Sequence, residues 1–160
     1  TEDRAQFVQF HTWLQQRYPA FHAAARREMV GELSLLYTWE GSDPGQPPII
    51  LLAHQDVVPV PNDTRQNWQV DPFGGVIRDD AIWGRGAIDD KGSLIALMEA
   101  AEFFAAQGRQ PTRTIIFASA TTKNSAAITA LSSWRACWRS GMCAPGSCLT
   151  KAWQHSIAIR

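Results

Sequence analysis

The chain has 160 residues, with 15 basic and 15 acidic side chains and a formal net charge of zero. This length suits one domain, or one domain and part of a second. The neutral total predicts no nucleic-acid partner, and no apolar run approaches the ~20 residues of a membrane-spanning helix. No basic-then-apolar leader opens the chain, so a cytoplasmic location is expected, although a start at Thr1 rather than Met is compatible with a missing N-terminal segment.

The charges divide the chain unevenly. All 15 acidic residues lie before residue 121, whereas residues 121–160 hold five basic residues, no acid and all three cysteines. The cysteine spacing matches no paired zinc motif, and an odd number argues against a closed disulfide framework. This change in composition indicates a domain boundary or a change in the origin of the sequence.

The first predicted element is an amphipathic helix over Glu2–Tyr18, which Pro19 ends. His11 lies beside its apolar stripe, where packing is favoured over metal binding. A second short helical piece is predicted at Phe21–Glu28 and a strand at Leu33–Glu40. The stripe is formed by Phe7, Phe10 and Leu14.

The central element is Ile49–Val58, which begins with an uninterrupted apolar run and predicts a strand buried on both faces, as in a parallel sheet. His54 and Asp56 lie at its carboxyl end, where open α/β sheets bind ligands. Residues two apart in a strand point to the same side, so the two side chains can act together. The alternative is a strand-end histidine followed by an aspartate that opens a turn.

The following segments predict a hairpin, a loop, a helix and another buried strand. Asp79 and Asp80 fit the turn of a hairpin over Val76–Trp83 better than a metal site. A helix over Ser93–Gln107 and a strand over Thr112–Ala118 complete a βαβ unit, which predicts a mostly parallel central sheet flanked by helices. The expected core face of the helix consists of Leu94, Leu97, Met98, Ala101 and Phe104.

The glycine-bracketed loop before that helix, Gly84–Gly92, does not fit dinucleotide binding. Asp89 occupies the third glycine position of G-x-G-x-x-G, where its charge would repel a pyrophosphate. One carboxylate at a helix start is explained by the helix dipole, but Asp89 and Asp90 are two. A second carboxylate opposite His54 suits a zinc ion or a pair of zinc ions.

The motifs Ala53-His-Gln-Asp-Val-Val-Pro-Val60, Asp71-Pro-Phe73 and Trp83-Gly-Arg-Gly-Ala-Ile-Asp-Asp-Lys-Gly92 resemble the dinuclear zinc aminoacylase/carboxypeptidase family. The details look most like its carboxypeptidase S and Gly-X carboxypeptidase branch. The resemblance implies a three-layer α/β fold of the zinc-exopeptidase type, incomplete in this chain. Residues 1–118 would form the N-terminal half of the catalytic domain, and residues 119–160 an atypical tail.

The resemblance also implies roles for single residues. His54 matches a ligand of one zinc ion, and Asp89 matches the carboxylate that bridges two zinc ions. Asp56 matches the acid that orients His54, and Asp56 is therefore the candidate catalytic residue. The implied activity is hydrolysis of an amide bond in N-acyl amino acids or small peptides, with two zinc ions in intact relatives and one or none here. No nucleic acid or membrane is implied, and relatives are expected to dimerise through a domain absent from this chain. Neighbours with implied structural roles are Arg85, Asp90 and Lys91.

The resemblance stops after Ala118. The family continues with Gly-His-Asp-Glu-Glu-x-Gly-Gly, in which the first glutamate is the general base and the second a zinc ligand, but here Ser119-Ala-Thr-Thr-Lys-Asn-Ser125 contains no acid. Deletion of one T from a gene encoding Ala-Phe-Gly-His-Asp-Glu-Glu can produce Ala118-Ser-Ala-Thr-Thr-Lys-Asn124. We therefore interpret the tail as out-of-frame translation and the chain as an inactive, truncated fragment.

Two other interpretations remain for comparison. The chain could be a non-catalytic α/β module that binds a partner or serves a structural role. Its tail could form an aromatic and basic patch for nucleic acid or a membrane surface, although five basic residues make a weak field. A Ser/His/Asp triad is not credible, because no carboxylate lies near His155. The patch residues are Trp134, Arg135, Trp138 and Arg139.

Overall fold

The computed structural model describes residues 2–121, and the predictions for the tail beyond them lie outside the described residues. In chain order the elements are α1 (Glu2–Arg17), α2 (Pro19–Ala24), β1 (Arg26–Val30), β2 (Ser34–Trp39), β3 (Ile49–His54), α3 (Asn62–Arg65), β4 (Val76–Arg78), β5 (Ala81–Trp83), α4 (Lys91–Ala106) and β6 (Ile115–Ala120).

Most of the strongly patterned segments form the elements predicted for them, with shifts of a few residues at their ends. The prediction of a helix over Phe21–Glu28 is wrong in its second half, because α2 ends at Ala24 and β1 follows. Gly31, with φ of 63°, forms the turn that folds β1 back onto β2. Antiparallel pairing with β2 satisfies the backbone of β1, and its own sequence shows no strand alternation.

The larger sheet has the strand order β1-β2-β6-β3. β3 is parallel to β6, but β2 is antiparallel to both β1 and β6. The expectation of a mostly parallel sheet is therefore not confirmed, since the described sheet is mixed. Among the described strands, the βαβ unit of β3, α4 and β6 provides the one hydrogen-bonded parallel pair, and β2 runs in the opposite direction to its neighbours β1 and β6.

The prediction that β3 is buried on both faces is also wrong for the described chain. β3 lies at the edge of the sheet, and the side chains of Ile49 and Leu52 are exposed. An apolar run predicts a preference for burial, but the neighbour that covers the strand must be supplied by another segment. Within residues 2–121, no strand pairs with the outer edge of β3.

The core lies between one face of the sheet and the helices α1, α2 and α4. Phe21 of α2 is at its centre, with ring contacts to Tyr37, Trp39 and Phe117. Within residues 2–121, these three helices pack on the face of the sheet that carries Tyr37 and Phe117. None of the described helices is long and apolar enough to cross a membrane. The other buried members of this cluster are Leu14, Tyr18, Ala25, Leu35, Ala53, Leu94, Met98 and Ala101.

The parallel pair β3–β6 positions the candidate site. His54 is in register with Ala120, so both strands end at the same edge of the sheet. The Gln55 N–H donates to the Ala120 carbonyl at 2.8 Å and continues the pairing by one residue. The carboxyl edge of this pair is therefore where His54 leaves the sheet, as open α/β folds require of a ligand site.

Candidate metal centre

His54 and Asp56 lie together at the end of β3, as their spacing predicts. The Nδ1 atom of His54 is 3.0 Å from the backbone oxygen of Asp56 and 3.3 Å from its carboxylate oxygen Oδ1. Asp56 therefore presents two acceptors to one nitrogen of the imidazole. The same arrangement orients metal-bound histidines in many proteins, because a carboxylate behind the ring fixes its tautomer.

The glycine-bracketed loop brings Asp89 to the other nitrogen of His54. The distance from His54 Nε2 to Asp89 Oδ1 is 2.9 Å. Gly86 has a φ of 87°, and a Cβ atom there would lie 2.2 Å from Cγ1 of Val57. Glycine is required at this position because the loop packs directly against the segment that follows His54.

Asp90 lies at the N-cap of α4, but its carboxylate makes no capping hydrogen bond. Its Oδ2 atom instead accepts the backbone N–H of His54 at 3.1 Å. The peptide bond between Asp89 and Asp90 is cis. Lys91 Nζ donates to the backbone oxygen of Gln55 at 2.6 Å. Asp90 and Lys91, which directly follow Asp89, therefore both bind the backbone next to the His54 side chain.

The surroundings of His54 favour its protonated form. Partial burial lowers the pKa of the ring, but the hydrogen bond to Asp89, the bond to the Asp56 backbone and the charges of both carboxylates outweigh it, so the net pKa is raised. Both ring nitrogens face oxygen acceptors, and only the imidazolium can donate from both. A metal ion on Nε2 would replace that proton and leave the Nδ1–H bound to Asp56.

The donor atoms fit one side of a zinc site. Two ligands of a tetrahedral zinc ion lie roughly 3.4 Å apart, close to the 2.9 Å between His54 Nε2 and Asp89 Oδ1. The Asp89 side chain is 89% exposed, which leaves its second oxygen accessible. Within residues 2–121, no three His, Cys, Asp or Glu side chains come together as a group that could hold a metal ion.

The other candidate residues have structural environments. Asp79 and Asp80 occupy the β4–β5 turn with φ of 54° and 56°, as expected for turn residues. The Arg85 guanidinium lies 5.4 Å from the centre of the Trp68 ring and joins the loop to the segment before it. The packing prediction for His11 is confirmed, because its ring is buried.

Sequence reasoning missed Gln55. It lies between His54 and Asp56 in an extended chain, so its side chain points to the opposite side, into the protein. There it contacts His11, with 2.7 Å between His11 Nε2 and Gln55 Oε1. The alternation of side chains along a strand indicates that Gln55 points away from His54 and Asp56. It does not identify His11, 44 positions away, as the partner of Gln55.

Residues 50–121 match the model of "Peptidase family M20/M25/M40". Carboxypeptidase S of Saccharomyces cerevisiae is 46% identical over 112 residues, which cover 69% of this chain and 19% of that protein. An N-fatty-acyl-amino acid synthase/hydrolase, PM20D1 of Bos taurus, is 41% identical over 113 residues, covering 69% of this chain and 22% of the relative. The chain thus spans about a fifth of the length of these relatives.

Solved structures with a similar fold come from proteins with metallopeptidase and dipeptidase names. The M20 family metallo-carboxypeptidase Sso-CP2 from Sulfolobus solfataricus has a TM-score of 0.55 at 23% identity, covering 71% of this chain and 25% of that one. Human carnosine dipeptidase 1 has a TM-score of 0.52 at 22% identity, covering 72% and 31%. At these identities the likeness shows a shared α/β fold.

Proposed function

Residues 50–121 belong to peptidase family M20/M25/M40, a family of metal-dependent peptidases, and on this premise we propose that the chain carries part of the metal centre of an amide-bond hydrolase. The contact of His54 Nε2 with Asp89 Oδ1 at 2.9 Å, with Asp56 behind the same ring, carries the proposal. It joins a strand end to a loop 35 positions away through side chains that zinc prefers.

Each residue has a distinct role in this proposal. His54 and Asp89 would hold one zinc ion, and the second oxygen of Asp89 would be available to a second ion, as the family resemblance implies. Asp56 acts through His54: its oxygens hold the Nδ1–H and keep Nε2 directed towards the metal. Zinc, when bound, polarises a carbonyl and lowers the pKa of a bound water.

The proposed substrates are N-acyl amino acids or small peptides with a free carboxyl end. Carboxypeptidase S and the N-fatty-acyl-amino acid synthase/hydrolase carry names that refer to this chemistry. Hydrolysis of either kind of substrate cleaves an amide bond next to an amino acid that carries a free carboxylate. Three expectations remain predictions. They are that relatives dimerise through a further domain, that the location is cytoplasmic, and that nucleic acids and membranes are not partners.

Zinc binding tests the proposed centre. The purified, metal-free chain is titrated with Zn²⁺ against a chromophoric chelator, alongside His54→Gln and Asp89→Asn. We expect each substitution to weaken zinc binding by about tenfold or more, because each removes one of two ligands from residues 2–121.

Asp79→Asn is the matched control, since it removes the same charge from an exposed hairpin turn. Its zinc affinity should equal that of the unchanged chain. The proposal is contradicted if the chain binds no zinc, or if all three variants bind equally well.

We further propose that the chain is an inactive fragment, with residues 119–160 a separate, out-of-frame tail. Two observations support this: no acid follows Ala118, and the family match ends at residue 121. In the family a glutamate base accepts the proton of the attacking water, a step worth typically 10²–10⁴ in rate, and residues 119–160 contain no acid that could replace it.

Sequencing the DNA across codons 117–126 tests the frameshift, and an in-frame gene with no plausible lost base would contradict it. Inactivity is tested with an N-acyl amino acid and with a small peptide. A chain that holds two tight zinc ions and cleaves either substrate, with the cleavage lost in His54→Gln, would refute the inactive-fragment proposal.

A further inference from the structure

Gln55 is the most completely bonded polar side chain next to the candidate metal centre. It is 1% exposed, and each of its four polar groups has a partner. The backbone N–H donates to Ala120 O at 2.8 Å, and the backbone oxygen accepts from Lys91 Nζ at 2.6 Å. The side-chain Nε2 donates to Leu33 O at 3.1 Å and to Ser119 O at 2.8 Å.

The fourth group, Oε1, determines the state of His11. The two carbonyl partners of Nε2 identify that atom as the amide nitrogen, so the atom facing His11 is the oxygen Oε1, which can only accept. His11 Nε2, 2.7 Å away, must therefore carry a proton and donate it. Burial lowers the pKa of His11, so the ring is neutral near pH 7 and has the Nε2–H tautomer.

These bonds connect four parts of the fold to one peptide unit. Through Gln55, the segment that carries His54 and Asp56 is joined to α1, to the β1–β2 turn, to the end of β6 and to the start of α4. A buried amide needs its hydrogen bonds, because each unsatisfied polar group costs about 1–3 kcal/mol. The geometry of His54 and Asp56 is thus set from the side of the strand opposite to the metal.

We propose that Gln55, held by His11, is a positioning residue of the metal centre. The inference rests on the function proposed above and assigns a role to two side chains that do not touch the metal ligands' donor atoms. Loss of the His11 hydrogen bond leaves Oε1 unsatisfied, so the Gln55 side chain turns away and the peptide between His54 and Asp56 rotates with it.

The test compares three variants of the full chain. His11→Phe keeps an aromatic ring but removes the donor, and His11→Gln restores a donor. Thr38→Val is the control, because it removes a buried hydroxyl in β2 that has no hydrogen-bond partner within the described residues. Unfolding in denaturant shows whether each variant is folded under the assay conditions.

Zn²⁺ affinity and the absorption spectrum of bound Co²⁺ are the metal readouts. We expect His11→Phe to weaken zinc binding by about tenfold or more and to change the Co²⁺ spectrum, the usual size of an effect transmitted through a ligand's supporting residues. His11→Gln should recover most of the affinity, and Thr38→Val should leave both readouts unchanged. Equal zinc affinities for His11→Phe and Thr38→Val would overturn the proposal.

The ¹⁵N shifts of the imidazole rings provide a readout without metal. They should report the Nε2–H tautomer for His11 in the unchanged chain. The His54 ring signals should move in His11→Phe and stay in place in Thr38→Val. If the unchanged chain binds no zinc, the proposed metal centre is contradicted, but the ring shifts still test the positioning role of Gln55. That role is contradicted if the His54 signals do not move in His11→Phe.

Discussion

At the scale of single residues, the chemistry of this chain centres on an imidazole between two carboxylates. His54 Nδ1 faces Asp56 and Nε2 faces Asp89, so the metal-free ring can donate to both residues when it is protonated. A zinc ion and a proton therefore compete for the same nitrogen. This competition makes the pH dependence of the site predictable in sign.

The raised pKa of His54 predicts how metal binding depends on pH. Zinc affinity should fall as the pH drops through that pKa, because binding must then displace a proton. In the metal-free chain the sign is opposite: the protonated ring contributes its full stability below its unfolded pKa, and this contribution is lost as the pH rises through the raised folded pKa.

A proton NMR titration of His54 checks this, with a midpoint expected above the ordinary value of about 6.5. Asp89→Asn should lower the midpoint, and Asp79→Asn should not, since Asp79 lies in the β4–β5 turn. A midpoint that is the same in all three chains would show that Asp89 does not act on His54.

Asp56 provides a second prediction at this scale. Asp56→Asn keeps the shape of the side chain but weakens the acceptor behind His54 Nδ1. We expect zinc affinity to fall by about 10–100-fold, the range for the loss of such a partner. Chelator competition measures it, with Asp43→Asn as control because the Asp43 carboxylate accepts hydrogen bonds from Gly45 and Gln46 of its own loop. Equal affinities would limit Asp56 to a role in the turn.

At the scale of elements, the close approach of the Gly84–Gly92 loop to the end of β3 decides whether Asp89 reaches His54. Gly86 and Gly108 both have positive φ, but only Gly86 has a neighbour in the way of a Cβ atom, at 2.2 Å. Gly108 has none within 4 Å. Substitutions at these two glycines therefore distinguish the effect of backbone strain alone from the effect of strain combined with a steric clash.

Gly108→Ala should lower the free energy of unfolding by about 1–2 kcal/mol, the cost of a left-handed conformation for an L-residue. Gly86→Ala should cost more and also weaken zinc binding, because the loop must move away from Val57. Denaturant unfolding and the zinc titration measure the two effects. If both variants lose the same stability and neither loses zinc, the loop adapts without displacing Asp89.

At the scale of the whole molecule, β3 is the edge strand of the sheet formed by residues 2–121, and part of its apolar surface is exposed. An apolar groove of about 530 Å³ lies between β3 and α4, and Leu52 at its margin is 57% exposed. Exposed apolar edges promote association between chains. The groove residues are Ile50, Leu51, Leu52, Ser93, Ala96 and Leu97.

We therefore expect the isolated chain to self-associate, and Leu52→Lys to reduce the association. Ile82→Lys is the control, because Ile82 is 67% exposed but lies in the separate β4–β5 hairpin. Sedimentation or light scattering over a concentration series measures the effect. A monomeric, cooperatively melting chain contradicts this expectation and counts against truncation, and equal effects of both substitutions place the association elsewhere.

The sequence by itself determined the elements whose signal is local. The apolar run of β3, the hairpin turn at Asp79 and Asp80, and α4 all follow from periodicity or turn chemistry within a few residues. The meeting of His54 with Asp89 was also predictable, since one ends a strand, the other lies at the start of a helix, and the family resemblance pairs them.

Only the tertiary structure decided which segments lie beside each other. β1 is a strand because β2 pairs with it, the sheet is mixed because β2 enters it in the opposite direction, and β3 is exposed because no described strand covers its outer edge. The contact of His11 with Gln55 has the same origin. Pairing partners and buried hydrogen bonds join residues that are distant in the chain, and no local pattern encodes the partner.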